Sequence, residues 1–168
     1  MLLDVKSVDK KFNGVYALKG LDFSLGEGEV HGLIGENGAG KSTFIKILGG
    51  VYKRDVGNIL WNGKDLPEVI RPEESRKLGI IIFQDNVLIP AFTGMENICL
   101  GRPYPVKGGL IQWKEMEREA AAKAAELGIH LDLKRPVSMM SPAQKKCVEI
   151  VRAMMSDCKL LILDEPTN

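Results

Sequence analysis

One short segment constrains this chain more than any other. Residues 35–42 read Gly-Glu-Asn-Gly-Ala-Gly-Lys-Ser, and they lie between an apolar run at 29–34 and a helical pattern from Lys41 to Leu48. Glycines in such a run let successive backbone N–H groups curve around an oxyanion, and the following helix adds the positive end of its dipole. The segment therefore predicts a phosphate-binding loop between a buried strand and a helix.

Two side chains of this loop have expected roles toward a bound nucleotide. Lys41 is expected to reach the β and γ phosphates, and Ser42 is expected to ligate Mg²⁺. These roles predict that the loop binds a nucleotide together with Mg²⁺. The residues of the loop predicted to bind the nucleotide are Gly35, Glu36, Asn37, Gly38, Ala39, Gly40, Lys41, Ser42 and Thr43.

A second pattern lies near the carboxyl end. The apolar run 160–163 leads directly into Asp164 and Glu165. Asp164 is suited to hold the Mg²⁺ water shell, and Glu165 is suited to activate an attacking water. An Asp-Glu-Pro turn after a strand is common, so this pattern is weak alone. Beside the phosphate-binding loop, it predicts hydrolysis of a Mg-nucleotide.

The composition excludes several other classes of protein. The net charge is +1, from 23 basic and 22 acidic residues, so nucleic acid is not an expected partner. The three cysteines lack the paired spacing of zinc or redox sites and are expected to be reduced and mostly buried. No apolar run approaches the roughly 18 residues of a membrane span. A cytoplasmic module is therefore expected, and any membrane partner would be another protein.

The remaining pattern predicts an α/β fold. Apolar residues alternate at 2–6 and at 16–25 around Asn13-Gly14, which indicates an antiparallel edge with a long turn. The run 79–83 reads as a buried strand, and 93–127 reads as mainly helical. Ser141-Pro142 is typical of a helix start.

Together the two chemical patterns resemble the Walker A and Walker B segments of the ATP-binding cassette (ABC) family. Gln84 matches the family's Q-loop glutamine, which contacts Mg²⁺ and the transmembrane partner, although an ordinary polar strand end would look the same. Phe12 matches the aromatic residue that stacks on adenine, although a core phenylalanine is nearly as consistent. The catalytic residues implied are Glu165, Gln84 and Lys41, and the cofactors implied are ATP and Mg²⁺.

The resemblance implies a P-loop NTPase core with a mainly parallel sheet, an antiparallel N-terminal β edge and a helical subdomain. The ATPase core would comprise 1–92 and 156–168, and the helical subdomain would comprise 93–155. The chain resembles a partial nucleotide-binding domain, because the family's D-loop and switch histidine would follow Asn168. Such a piece is expected to bind nucleotide weakly and not to turn it over alone.

One family motif departs from its pattern. Residues 140–144 read Met-Ser-Pro-Ala-Gln where the family has its Leu-Ser-Gly-Gly-Gln signature. Ser141 and Gln144 are kept, and the resemblance implies that they bind the nucleotide of the opposite cassette. Pro142 has no N–H to donate, and Ala143 adds a methyl group. A weakened site is expected, whereas a Ser-Pro helix cap explains the same residues without catalysis.

The amino-acid sequence of the phosphate-binding loop and of residues 46–52 resembles that of the sugar-import branch of the family. That resemblance implies a monosaccharide importer, with a transmembrane permease, a substrate-binding protein and a second cassette as partners. The chain would then lie on the inner face of the cell membrane. A soluble DNA-repair type of cassette ATPase is an alternative that the short interval from Gln84 to Ser141 disfavours. A non-hydrolysing nucleotide-binding module is another, favoured by the altered signature.

Overall fold

The structure is a computed structural model that describes residues 1–83 and 88–163. The chain forms two compact units, Met1–Ile80 and Ile81–Asn168. The division expected from the sequence, with a helical subdomain at 93–155, groups residues by their roles in the family and not by their contacts. It stays a prediction.

The first unit is built on a four-stranded antiparallel sheet in the order β2-β1-β3-β4. Its strands are β1 (Leu3–Phe12), β2 (Val15–Leu25), β3 (Val56–Trp61) and β4 (Lys64–Asp65). The predicted antiparallel edge is confirmed, but the long turn is wrong. Asn13 and Gly14, with φ of 49° and 82°, form a two-residue turn between Phe12 and Val15. Positive φ at both central residues matches the twist of paired strands, so no longer loop is needed.

Two helices complete the described elements of the first unit. Helix α1 (Lys41–Leu48) has the predicted bounds and buries Phe44, Ile45, Ile47 and Leu48. Gly49 and Gly50 follow it, and Gly50 has a φ of 76°. Helix α2 spans Pro72–Lys77, and the Ser75 hydroxyl donates to the Leu48 carbonyl at 2.8 Å. The end of α1 is thereby fixed within the unit.

The buried strand predicted at 29–34 is wrong. Within residues 1–83 and 88–163, this segment belongs to no strand, and Val30 and Ile34 are each 98% exposed. Apolar runs of this kind form strands only when neighbouring strands satisfy their backbone groups on both sides. The four described strands of the first unit pair only with one another, and none of them pairs with residues 29–34.

The second unit joins a strand pair to a group of helices. Strand β5 (Ile80–Phe83) pairs with β8 (Leu160–Leu163). Between them lie α3 (Gly94–Cys99), the hairpin β6 (Val106–Lys107) and β7 (Leu110–Ile111), α4 (Trp113–Glu126), a short 3₁₀ turn (Val137–Met139) and α5 (Pro142–Met154). The expectation of a mainly helical 93–127 missed the hairpin, whose turn Gly108-Gly109 has positive φ at both residues.

The helices of the second unit share one apolar core. Met116, Ala120 and Ala124 are buried on α4, as the helical pattern predicts, and Leu127 packs partly against them. Val148 and Val151 of α5 are fully buried in the same cluster. This core sets the position of α5 and of the signature segment at its start.

Candidate nucleotide-binding site

The backbone of the phosphate loop (residues 35–43) is bent and open. Gly38 and Gly40 have φ of 87° and 86°, and the Ala39 N–H donates to the Glu36 carbonyl at 3.1 Å. Residues 35–39 are all exposed. A loop of this shape leaves its backbone groups accessible to an anion.

Gly40 is required by a close contact with the neighbouring strand. A side chain at this position would collide with the Ala17 carbonyl oxygen and would come within 2.6 Å of Leu18 Cδ2. Gly38 has the same left-handed backbone but nothing within 4 Å of the position of a Cβ. The start of α1 therefore lies directly against β2.

The N-terminus of α1 presents uncapped donors. No described side chain caps the helix, and its first turn contains no acidic residue. The first intrahelical bond runs from the Phe44 N–H to the Gly40 carbonyl at 2.9 Å. The N–H groups of Lys41, Ser42 and Thr43 thus have no acceptor within the helix. Together with the helix dipole, they form a site suited to an anion.

Lys41 folds back over the loop. Its Nζ donates to the Gly35 carbonyl at 2.5 Å and to the Glu36 carbonyl at 2.9 Å. These two bonds hold the ammonium group at the loop and leave its third proton for an incoming oxyanion. Ser42 is exposed beside it in the first turn of α1. The sequence-predicted residues from Gly35 to Thr43 are therefore brought together as one site.

Phe12 lies at the end of β1, beside the two-residue turn. It is 40% exposed, and its ring contacts the ring of Tyr52 edge to face, with centroids 5.0 Å apart. The Lys10 ammonium lies 5.2 Å from the centroid of Phe12. An aromatic ring with this exposure is available to a planar ligand. No role for Tyr52 follows from the sequence pattern, and the one signal there is an aromatic residue four positions after the end of the predicted helix.

The signature segment forms a helix cap. The Ser141 Oγ accepts from the Gln144 N–H at 3.3 Å, and the Gln144 Oε1 accepts from the Ser141 N–H at 2.9 Å. Pro142 occupies the first position of α5, where its missing N–H is tolerated. The Ser-Pro cap anticipated from the sequence is therefore present. Binding of a nucleotide by Ser141 and Gln144 stays a prediction.

Three predicted residues, Gln84, Asp164 and Glu165, lie outside the described residues. The strands that precede them, β5 and β8, are neighbours in one sheet. Within residues 1–83 and 88–163, no group of three His, Cys, Asp or Glu side chains is arranged to hold a metal ion. Over the same residues, no helix is long and apolar enough to cross a membrane.

The cysteines are free thiols. Burial raises the pKa of Cys99 and of Cys158, which disfavours the reactive thiolate form.

Comparison with known proteins identifies the class. The family model of ABC transporters matches residues 18–168, and the chain belongs to that family. It is 42% identical to a ribose import ATP-binding protein of Geobacillus kaustophilus, over 99% of this chain and 34% of the relative. A ribose import ATP-binding protein of Rubrobacter xylanophilus is 46% identical, with 99% and 33% covered. The chain thus spans about a third of the length of these relatives.

Solved structures agree with this assignment. A nucleotide-free ATP-binding cassette from an ABC transporter superposes with a TM-score of 0.80 at 29% identity, covering 99% of this chain and 70% of that chain. The ADP conformation of an ATP-binding cassette gives 0.79 at 29% identity, with 99% and 69% covered. The expected α/β fold of the P-loop NTPase class is confirmed.

Proposed function

We propose that this chain is the ATP-binding part of an ABC importer that hydrolyses ATP to drive uptake of a monosaccharide. The observation that carries the proposal is the phosphate loop, where uncapped N–H groups of α1 and the Lys41 ammonium face one open loop. Members of the family bind ATP, and the similar relatives are ribose import ATP-binding proteins.

The proposed roles divide among the predicted residues. Lys41 contacts the β and γ phosphates, and Phe12 stacks on adenine. The exposed Ser42 hydroxyl suits an oxygen-preferring Mg²⁺ ion, which Asp164 and Gln84 would also help to hold. When bound, Mg²⁺ supplies charge stabilisation of the phosphoryl oxygens. Glu165 activates the attacking water.

The proposed partners are those of a transport assembly. A second cassette supplies the opposite half of each ATP site, with Ser141 and Gln144 facing the γ-phosphate across it. Closure of the two cassettes drives a transmembrane permease, which receives sugar from a substrate-binding protein. The chain then lies on the inner face of the cell membrane.

A second candidate function is nucleotide binding without turnover. The capping box of α5 favours it, because the side chains of Ser141 and Gln144 are engaged within their own helix. Pro142 also removes one backbone donor. The two candidates predict the same binding of ATP and differ in phosphate release.

Binding is tested by thermal unfolding with Mg-ATP, with Lys41→Ala as the control. Ligand at about 100 times its dissociation constant stabilises by roughly 2.7 kcal/mol, which raises the melting temperature by roughly 5 to 10 °C for a chain of this size. We expect the shift in the parent chain and not in the variant. An unshifted cooperative melt of the parent chain would contradict nucleotide binding.

Transport is tested in the host cell. Deletion of the gene that encodes this chain should reduce uptake of one labelled monosaccharide, with ribose the first to try because of the similar relatives. A complementing gene restores uptake, whereas a complementing gene with Lys41→Ala does not. Unchanged uptake of every monosaccharide tried would contradict the importer assignment and leave nucleotide binding to the melting experiment.

A further inference from the structure

Tyr52 is attached to the helix that follows the phosphate loop. Its N–H donates to the Lys46 carbonyl at 3.2 Å, and the N–H of Val51 donates to the same carbonyl at 2.8 Å. The Lys46 ammonium lies 5.6 Å from the centroid of the Tyr52 ring. The ring is therefore held at the carboxyl end of α1, whose other end forms the anion site.

The other side of Tyr52 meets Phe12. The two ring planes are inclined by 67° with centroids 5.0 Å apart, which is a favoured edge-to-face arrangement. Phe12 nevertheless stays 40% exposed. Tyr52 thus supports the Phe12 ring while leaving part of its surface open to solvent.

An ion pair and two hydrogen bonds join Asp55, three residues after Tyr52, to β1. The Asp55 Oδ1 accepts from the Lys10 Nζ at 2.9 Å, and its Oδ2 accepts from the Lys11 N–H at 2.7 Å. The Asp55 N–H donates to the Asp9 carbonyl at 2.9 Å. The hydrogen bond from the Lys11 N–H and, to a smaller extent, the bond from the Lys10 side chain hold the pKa of Asp55 below its ordinary value. These bonds anchor residues 52–55 next to Phe12.

Phe12 and the start of α1 both border strand β2. Phe12 pairs with Val15 in the hairpin, and Ala17, whose carbonyl borders Gly40, is two residues further along β2. Two strand residues span about 7 Å. Phe12 and the start of α1 therefore meet β2 at positions about 7 Å apart along the strand, near enough for one nucleotide to reach both.

We propose that Tyr52 is the positioning residue that holds Phe12 in place as a stacking surface for a nucleobase, linking that surface to α1. The inference rests on the proposed binding of ATP. Because stacking uses the flat face of any base, Tyr52 contributes to the binding of nucleoside triphosphates in general. It contributes nothing to the binding of phosphate groups alone.

The test compares a ligand that has a base with one that lacks it. Calorimetric titration with Mg-ATP and with Mg-tripolyphosphate is performed on the parent chain and on Tyr52→Ala. We expect the variant to bind ATP roughly 3- to 10-fold more weakly, the range of one aromatic contact. Its affinity for tripolyphosphate should stay within about twofold of the parent, since α1 is unchanged.

Three further variants separate positioning from folding. Tyr52→Phe keeps the ring and should bind ATP like the parent chain. Tyr52→Leu keeps apolar bulk without the ring and should bind ATP as weakly as is expected of Tyr52→Ala. It keeps the test available if Tyr52→Ala folds poorly. Tyr16→Ala removes a matched tyrosine from the hairpin that carries Phe12, and it should leave ATP binding unchanged. The Lys11 and Lys19 ammonium groups lie over the Tyr16 ring.

The outcomes distinguish this inference from the proposed function. Unchanged ATP affinity in Tyr52→Ala, equal losses for both ligands, or failure of Tyr52→Phe to retain affinity would each overturn the positioning role. A parent chain that binds neither ligand, or a Lys41→Ala variant that binds both as tightly as the parent, would instead overturn nucleotide binding at this loop, and the role of Tyr52 with it.

Discussion

At the scale of single residues, Gly38 and Gly40 differ in what surrounds them. Both have a φ near 87°, a conformation that costs an L residue roughly 1–2 kcal/mol. Only Gly40 borders a strand, where the Ala17 carbonyl and Leu18 leave no room for a methyl group. The cost of a side chain at Gly40 therefore includes displacement of α1 from β2.

Gly40→Ala is expected to be more destabilising than Gly38→Ala and to abolish ATP binding. Gly38→Ala should cost about 1–2 kcal/mol of unfolding free energy, and Gly40→Ala should cost at least about 1 kcal/mol more, because the collision adds to the strain. Urea unfolding of the two variants measures the difference. Equal costs for the two substitutions would show that α1 is not seated against β2.

At the scale of elements, the start of α5 combines a structural cap with a motif that the family uses for nucleotide contact. Both backbone N–H groups in the Ser141–Gln144 capping box are satisfied by side chains. A cap of this kind stabilises a helix whether or not a ligand is present. Stability and nucleotide response therefore need separate measurements.

Ser141→Ala is expected to lower the unfolding free energy by about 1 kcal/mol, because the Gln144 N–H loses its acceptor. Ser138→Ala, at an exposed serine of the preceding 3₁₀ turn, is the matched control and should change stability by less than about 0.5 kcal/mol. Urea unfolding without nucleotide measures both. An unaltered midpoint in Ser141→Ala would contradict the capping role.

The cap of α3 makes stability depend on pH. The Glu96 carboxylate accepts from the Thr93 N–H and from the Thr93 hydroxyl, both at 2.8 Å. The hydrogen bond from the Thr93 N–H and, to a smaller extent, the bond from the Thr93 hydroxyl hold the pKa of Glu96 below its ordinary value. A group whose pKa is lowered by folding stabilises above the ordinary pKa and loses that contribution as the pH falls.

Glu96→Gln should therefore destabilise the chain near neutral pH and less so in acid. The difference in unfolding free energy between parent and variant should be constant above about pH 5 and should shrink as the pH falls through the ordinary glutamate pKa of about 4.3. Glu73→Gln, at an exposed site, serves as the control. A difference for Glu96→Gln that is the same at pH 7 and pH 3 would refute the role of this carboxylate.

Elements with local signals were predictable from the sequence, and elements set by distant contacts were not. The bounds of α1 follow from its glycine loop and from Gly49-Gly50, and the start of α5 follows from Ser141-Pro142. The strand predicted at 29–34 depended on neighbours that the sequence does not specify. The hairpin β6-β7 is only two residues per strand, too short for an alternating pattern.

At the scale of the whole molecule, the sequence predicted the class of protein better than the geometry of its site. Gly35 to Thr43 are consecutive, so their assembly around one loop follows from the backbone. The contact between Phe12 and Tyr52 joins residues 40 positions apart and needed the structure. The second unit carries the signature segment, residues 140–144. The hydrogen bonds between Ser141 and Gln144 form the cap of α5 without a bound ligand.

The central claim is that a nucleotide binds through the backbone of the phosphate loop and the N-terminus of α1. Titration of the isotope-labelled chain with Mg-ATP, followed through its backbone amide resonances, tests this directly. We expect saturable shifts at Gly38, Gly40, Lys41 and Ser42 that are lost in Lys41→Ala. Saturable binding that leaves these four resonances unmoved would contradict it.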